Sequence, residues 1–224
     1  MCCKKYYRFS SEESAKHFIN EGQIYFNSLS YYKNYYGENI AIKDEKEGSI
    51  ENNIPTQNIE ITFNEYTFLK KDIASDNIIV KNALREPENF FIFCLSNRYD
   101  EILYEKFEAD TCVEIEDIEE FSNRIRKVLP DNYKLNFNDV EYYDIKNIKL
   151  PDKPLCLYKN KDYEYQSESR FWIYIPYLSN SKCKANGFNI GQFENMITHL
   201  KFQCLELKIG KLDDICKIIK SKKI

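Results

Sequence analysis

Three short stretches hold residue types that can act on a ligand. The last of them in the chain is Gln166-Ser167-Glu168-Ser169-Arg170, which runs into Phe171-Trp172-Ile173-Tyr174-Ile175. That continuation has the β-branched and aromatic content of a buried strand. Gln166, Glu168 and Arg170 are spaced by two, so on a strand they share one face. A carboxylate and a guanidinium at the mouth of an apolar strand must be paired or used if they are buried. A carboxylate in that place can hold a ribose hydroxyl and stabilise an oxocarbenium-like charge, as glycosidic-bond chemistry requires. The alternative is an edge strand on which Glu168 and Arg170 are surface charges. The second stretch is Tyr7-Arg8-Phe9, where Arg8 is either a fork for phosphate or carboxylate or one half of a salt bridge. The third is Ser28-Leu29-Ser30-Tyr31-Tyr32. Its hydroxyls can meet sugar hydroxyls and its rings can stack on a flat ring, or it is a Ser-rich turn with core aromatics.

The elements that must position these side chains follow from patterning. Lys5 to Phe9 reads as a strand. Ser10-Ser11-Glu12-Glu13 is a helix start, with a Ser cap and carboxylates in the first turn. Ala15, Phe18 and Ile19 form that helix's apolar face and Gly22 ends it. Gln23 to Asn27 is a second strand, followed by a turn through Tyr32. The polar stretch 38–57 reads as a loop or insert, either a cover over a site or disorder. Ile59 to Leu69 alternates like a half-buried strand. Phe90 to Leu95 is a continuous apolar run, hence a central strand, and Ser96 to Ala109 reads as a long loop. Thr111 to Ile115 is a strand, and Asp117 caps a helix that Pro130 closes. Further strands are expected near Val140–Ile145, Leu155–Tyr158 and Leu200–Ile209. Residues 186–195 are turn-rich. Leu212, Ile215, Cys216 and Ile219 predict a final amphipathic helix. Strands dominate with irregularly placed helices, so the expected class is α+β, a single domain over 1–224 with mostly antiparallel sheets.

Composition narrows the function. The 224 residues carry a formal net charge of −4, which disfavours general nucleic-acid binding. Charge is nevertheless uneven. The segment 100–120 is mostly acidic, and Lys dominates from Lys201 onward. Eight cysteines include no Cys-x-x-Cys, and His17 and His199 are the two histidines, so a zinc site is disfavoured. No signal-peptide core or membrane-length apolar run occurs, which predicts a reduced, cytoplasmic protein with free thiols and no membrane partner. There is no phosphate loop, dinucleotide fingerprint, zinc-protease helix or nucleophile elbow. What remains is carboxylate chemistry.

The motifs, in this order, resemble two families. Arg8, the Ser28-Leu29-Ser30 triplet with its aromatics, and Gln166-x-Glu168 resemble the Arg, Ser-Thr-Ser and Gln/Glu-x-Glu pattern of the ADP-ribosyltransferases. The whole chain is similar to a family of uncharacterised bacterial and phage domains. The matching residues are Tyr7-Arg8-Phe9, Gly22-Gln23-Ile24-Tyr25-Phe26-Asn27-Ser28, Phe93-Cys94-Leu95-Ser96, Gln166-Ser167-Glu168-Ser169-Arg170 and Leu207-Lys208-Ile209-Gly210. The transferase resemblance implies NAD as substrate. Arg8 would contact its ribose or phosphate, Ser28 and Ser30 would support the nicotinamide-ribose pocket, and Tyr31 or Tyr32 would stack on nicotinamide. Glu168 would bind the ribose hydroxyl and stabilise the oxocarbenium ion, and Gln166 would orient the acceptor. Two departures matter: Leu29 replaces the middle Thr, and Gln166 replaces the first Glu, so a base for an arginine acceptor is missing. Transfer to another acceptor, NAD hydrolysis and no activity all stay open.

Two other readings compete. One is a non-catalytic interaction protein of phage–host conflict, an anti-defence inhibitor whose acidic 100–120 surface mimics a nucleic-acid backbone and blocks a CRISPR or other defence nuclease. The other is nucleic-acid binding through a Lys-rich C-terminal helix. The partner expected on the first two readings is a protein.

Overall fold

A computed structural model describes residues 4–39, 41–55, 61–63, 66–68, 77–84, 87–144, 152–175 and 204–221. β1 (Tyr6–Ser10) leads into α1 (Glu12–Glu21). Ser11 caps α1 by accepting from the Ser14 N–H, Glu12 and Glu13 lie in its first turn, and Ala15, Phe18 and Ile19 are its buried face. Gly22, at φ 62°, ends the helix and turns the chain into β2 (Gln23–Ser28). The turn expected after β2 is a short helix, α2 (Leu29–Lys33), because the Ser28 hydroxyl accepts from the Tyr31 N–H and caps it.

The polar stretch 38–57 is not all loop: Ser49–Pro55 is a strand, β3. The strand expected over 59–69 is instead two short paired strands, β4 (Ile61–Phe63) and β5 (Tyr66–Phe68). Alternation marks a half-buried strand but not the place where it folds back. β6 (Asn77–Ala83) pairs antiparallel with β3. β7 (Phe90–Ser96) is the predicted central strand. The long loop after it contains α3 (Ile102–Lys106), and then come β8 (Thr111–Ile115) and α4 (Ile118–Val128), capped by Asp117 as expected. β9 (Leu135–Asp139) and β10 (Glu141–Tyr143) follow. A 3-10 turn occupies Leu155–Leu157, where a strand was expected; the strand itself, β11, is Tyr158–Asn160. A second 3-10 turn, Lys161–Gln166, precedes β12 (Glu168–Tyr174).

β13 (Cys204–Lys208) matches the described part of its predicted strand, and Gly210 follows at φ 84°. The predicted final helix is instead a strand, β14 (Cys216–Lys220). Its two adjacent isoleucines favour extended backbone, and it lies at the end of the strand order with Lys217 and Lys220 exposed, which suits an edge. The expected turn at 186–195 lies outside the described residues.

Eight strands form one sheet of antiparallel pairs. The class is therefore α+β. β7 is its axis. One edge of β7 pairs with β12 along seven residues, and β12 in turn pairs with β9. The other edge is divided: Phe91 and Ile92 pair with β2, whereas Ser96 pairs with β1. β2 carries β13 on its outer side, and β1 carries β8 and then β14. Two wings thus diverge from β7, and α1 links them. The segment between β13 and β14 links them again, with the Ile209 and Leu212 N–H groups donating to the Gly22 and Ile19 carbonyls.

β7 buries both faces. Phe91, Phe93 and Leu95 join Phe18 of α1 and Phe121 of α4 in the main core. Ile92 belongs to a second cluster with Leu29, Cys156 and Leu157, against which Tyr32, Cys94 and Trp172 pack. Gly22 is where the two links touch: a Cβ there would lie 2.0 Å from the Gly210 carbonyl oxygen. Gly22→Ala combines a left-handed backbone with this clash, so it is expected to destabilise the fold by about 3 kcal/mol, measured by urea unfolding.

Candidate functional site

Between Ile92 and Ser96 the divided edge of β7 leaves a fork, and Arg8 of β1 fills it. Its Nη1 donates to the Cys94 carbonyl at 3.2 Å and its guanidinium carbon lies 4.5 Å from the Phe93 ring centroid. A side chain thereby takes up a strand carbonyl and gains a cation–π contact. Among the described residues no carboxylate lies within ion-pair distance of Arg8, which is only half-buried. Burial lowers its pKa, but a guanidinium stays charged.

A cleft of about 290 Å³ opens at the fork, at the small end of the range for ligand sites. Arg8, Tyr31, Tyr32, Cys94, Gln166 and Glu168 are among its lining residues, and Tyr7, Phe9 and Phe107 add aromatic surface from β1 and the end of α3. Tyr31 and Tyr32 meet edge to face at 5.3 Å, and Phe9 stacks with Phe107 at 6.4 Å. Flat rings therefore stand on both wings.

The floor is a buried charge network. Glu168 Oε1 accepts from Arg170 Nε at 2.6 Å, and Oε2 accepts from Lys159 Nζ at 3.0 Å. Arg170 forks onto both oxygens of Glu47 at 2.7 and 3.0 Å and also donates to the Cys156 carbonyl. Arg170 is 0% exposed, Glu47 1% and Glu168 4%. Burial alone would raise the Glu168 pKa. Arg170 and then Lys159 outweigh it and hold the carboxyl well below its ordinary range, so Glu168 stays an anion. Cys94 and Tyr32 move the other way: burial first, and then the Glu168 charge for the thiol and the Cys94 sulfur for the phenol, raise both above their ordinary values.

Residues 41–48, part of the stretch read as loop or insert, pack against this network. Gln166 Nε2 donates to the Ala41 carbonyl at 2.9 Å, and Tyr163 to the Lys43 carbonyl at 2.9 Å. Gly48, at φ 68°, then turns the chain into β3, with a Cβ position only 3.1 Å from Leu29 and Leu84. Asp44 is 4% exposed. Burial, and then the Glu47 charge, push its pKa up to about 6.

The three chemistry-bearing stretches therefore meet, but not every side chain takes the place expected of it. Glu168 and Arg170 share a face of β12. Gln166 precedes the strand, and Ser167 between them has φ 44°. Gln166 reaches the same network from the 3-10 turn. Its Nε2 donates to Ala41 and to the Tyr165 hydroxyl at 3.3 Å, and its Oε1 accepts from Lys159 at 2.7 Å. With both donors engaged inside the chain, it is a clip rather than an amide facing an acceptor. Ser28 and Ser30 are buried and bonded to each other at 3.0 Å. Ser28 caps α2, which contains Ser30, Tyr31 and Tyr32, and neither serine is among the cleft's lining residues. Lys159, Glu47 and Asp44 carried no signal in the sequence, since each is one charge in a charge-rich stretch.

The charged segments expected at 100–120 and at the C-terminus meet at Lys217, whereas Lys208, Lys211 and Lys220 pair with Glu21, Asp213 and Glu12. Glu114 pairs with Lys5 and Lys217 at 2.7 and 2.8 Å, and Glu116 pairs with the same two lysines at 3.4 and 2.6 Å. Asp100 pairs with Arg98, and Glu120 with Arg124. Among the described residues no helix is long and apolar enough to cross a membrane. Comparison with family models, curated proteins and solved structures found no match to this chain.

Two outcomes are expected. Glu47→Gln leaves the Arg170 charge without its forked partner and costs about 3–5 kcal/mol in urea unfolding. Asp44 binds its proton more tightly folded than unfolded, so stability declines as pH rises from its ordinary 3.8 through about 6. Asp44→Asn removes that decline and raises stability at neutral pH, which thermal unfolding across this range checks.

Proposed function

We propose that the cleft binds NAD and that the chain works as an ADP-ribosyltransferase-like domain on the nicotinamide–ribose bond. The observation that supports this reading is the meeting of Arg8, the Tyr31–Tyr32 pair and Glu168, from three distant stretches, on one cleft. Arg8 suits a ligand's phosphate because no carboxylate of the described chain neutralises it. Rings on both wings suit flat heterocycles. Across from Arg8, three carboxylates (Asp44, Glu47, Glu168) face two cations (Lys159, Arg170), so the network is negative by one charge when Asp44 is ionised. A dinucleotide with anionic phosphates and a pyridinium cation matches that polarity. Glu168, fixed as an anion, would hold a ribose hydroxyl and stabilise developing positive charge at the anomeric carbon.

Gln166 supplies no base for an acceptor, so attack by water or by a nucleophile that needs no deprotonation accords with the site. Calorimetry with NAD tests the reading. Wild type is expected to bind at micromolar to millimolar strength, with Arg8→Ala weakening binding about tenfold or more. No heat at millimolar NAD, or binding that Arg8→Ala leaves unchanged, rejects it.

A further inference from the structure

Lys159 lines the cleft with its ammonium on two protein acceptors and beside an aromatic ring. Nζ donates to Glu168 Oε2 at 3.0 Å and to Gln166 Oε1 at 2.7 Å, and it lies 4.7 Å from the Tyr163 ring centroid. Its side chain is 6% exposed. The ammonium is held by β11 at the point where the parallel pair β10–β11 meets the 3-10 turn, so its stem is fixed by two elements.

Glu168 needs such a partner. Arg170 Nε fixes one carboxylate oxygen, but a carboxyl group rotates about its last bond over a broad, shallow torsional well. A single anchored oxygen leaves the other free to swing. The second anchor, from Lys159, sets the plane of the carboxylate against the cleft. The remaining neighbours of Glu168 hold it less firmly: the Tyr142 hydroxyl accepts from the Glu168 backbone N–H at 2.7 Å, Tyr32 stands at its cleft side, and the Cys94 thiol adds a hydrogen bond to the carboxylate that is weaker than one from a charged donor. Glu47 is committed to Arg170. The same ammonium holds the Gln166 oxygen and so keeps that amide turned away from a ligand.

We infer that Lys159 is the positioning residue of the cleft, setting the Glu168 carboxylate toward the anomeric carbon of the ligand and withholding Gln166 from it. This rests on the NAD reading for the identity of the ligand. In that reaction the bond from ribose C1′ to the pyridinium nitrogen breaks and its electron pair stays on nitrogen, so nicotinamide leaves neutral. Water then forms the new bond to C1′ and releases a proton to solvent. The enzyme's part is an oriented negative charge, and orientation is what Lys159 provides.

The test follows nicotinamide release by wild type, Lys159→Met and Lys159→Arg, with a crystal structure of each variant that folds. Lys159→Met is expected to lower kcat about 100-fold with KM unchanged, because the carboxylate is misaligned while Arg8 and the ring walls still bind NAD. Lys159→Arg keeps the buried charge, which preserves folding if the methionine variant fails. It is expected to give a smaller loss of kcat, again without a change in KM. In both structures Glu168 Oε2 is expected to have turned from its wild-type place. Wild-type kcat in either folded variant overturns the inference, as does a Glu168 carboxylate that has not moved. If wild type releases no nicotinamide, the NAD reading falls, and the position of Glu168 in the variant structures alone decides for or against Lys159.

Discussion

A strand has two edges, and β7 shares one of its edges between two partners. Backbone groups along a buried edge must be satisfied, so the gap between Ile92 and Ser96 has to be answered by something other than a strand. Arg8 answers it at Cys94. This makes one residue both a structural plug and a charge presented to the cleft. A smaller or apolar residue there would leave the carbonyl without this donor and the fork without its cation. The divergence of the wings, the helix that spans them and the cleft at their origin all depend on this interrupted pairing.

Burying a cluster of ionised groups is not a route to stability by itself, since a well-packed apolar core does as well. What the network provides is geometry. Arg170 ties β12 to Glu47 of the 41–48 segment, and Lys159 ties β11 to Gln166 and Glu168. Segments with little apolar content are thereby held against the sheet by charge-assisted hydrogen bonds, which are directional in a way that hydrophobic contacts are not. The polar stretch that composition marks as loop or insert becomes an ordered wall of the cleft over its described part for this reason.

How much was legible follows from the range of each signal. The first strand, helix and strand, the central run Phe90 to Leu95 and the helix capped at Asp117 were readable because caps, glycines and apolar periodicity act locally. The final strand was misread as a helix because Ile215, Cys216 and Ile219 fit a helical stripe over so few residues, and pairing with β8 decided the matter. Arg8, Tyr31, Tyr32, Gln166 and Glu168 were legible as candidates from residue type and spacing. Their separate tasks were not. That Ser28 spends its hydroxyl on a helix cap and on Ser30, that Gln166 is clipped to Ala41, and that Glu47 pairs with Arg170 depend on how the folded chain places them. The spacing of Gln166, Glu168 and Arg170 suggested one strand face, yet the left-handed Ser167 interrupts it.

The two outermost strands of the wings, β13 and β14, both come from the last described stretch, 204–221. Each wing is therefore left with an open edge until the ribosome has passed residues 204–221. On a nascent polypeptide β2 and β8 would expose unpaired edges, and the link that crosses Gly22 would not yet exist. In the folded chain the 204–221 stretch reaches across both arms, through β13 on β2 and β14 on β8. Synthesis thus has an order: every residue that lines the cleft is made before the stretch that clasps the two wings.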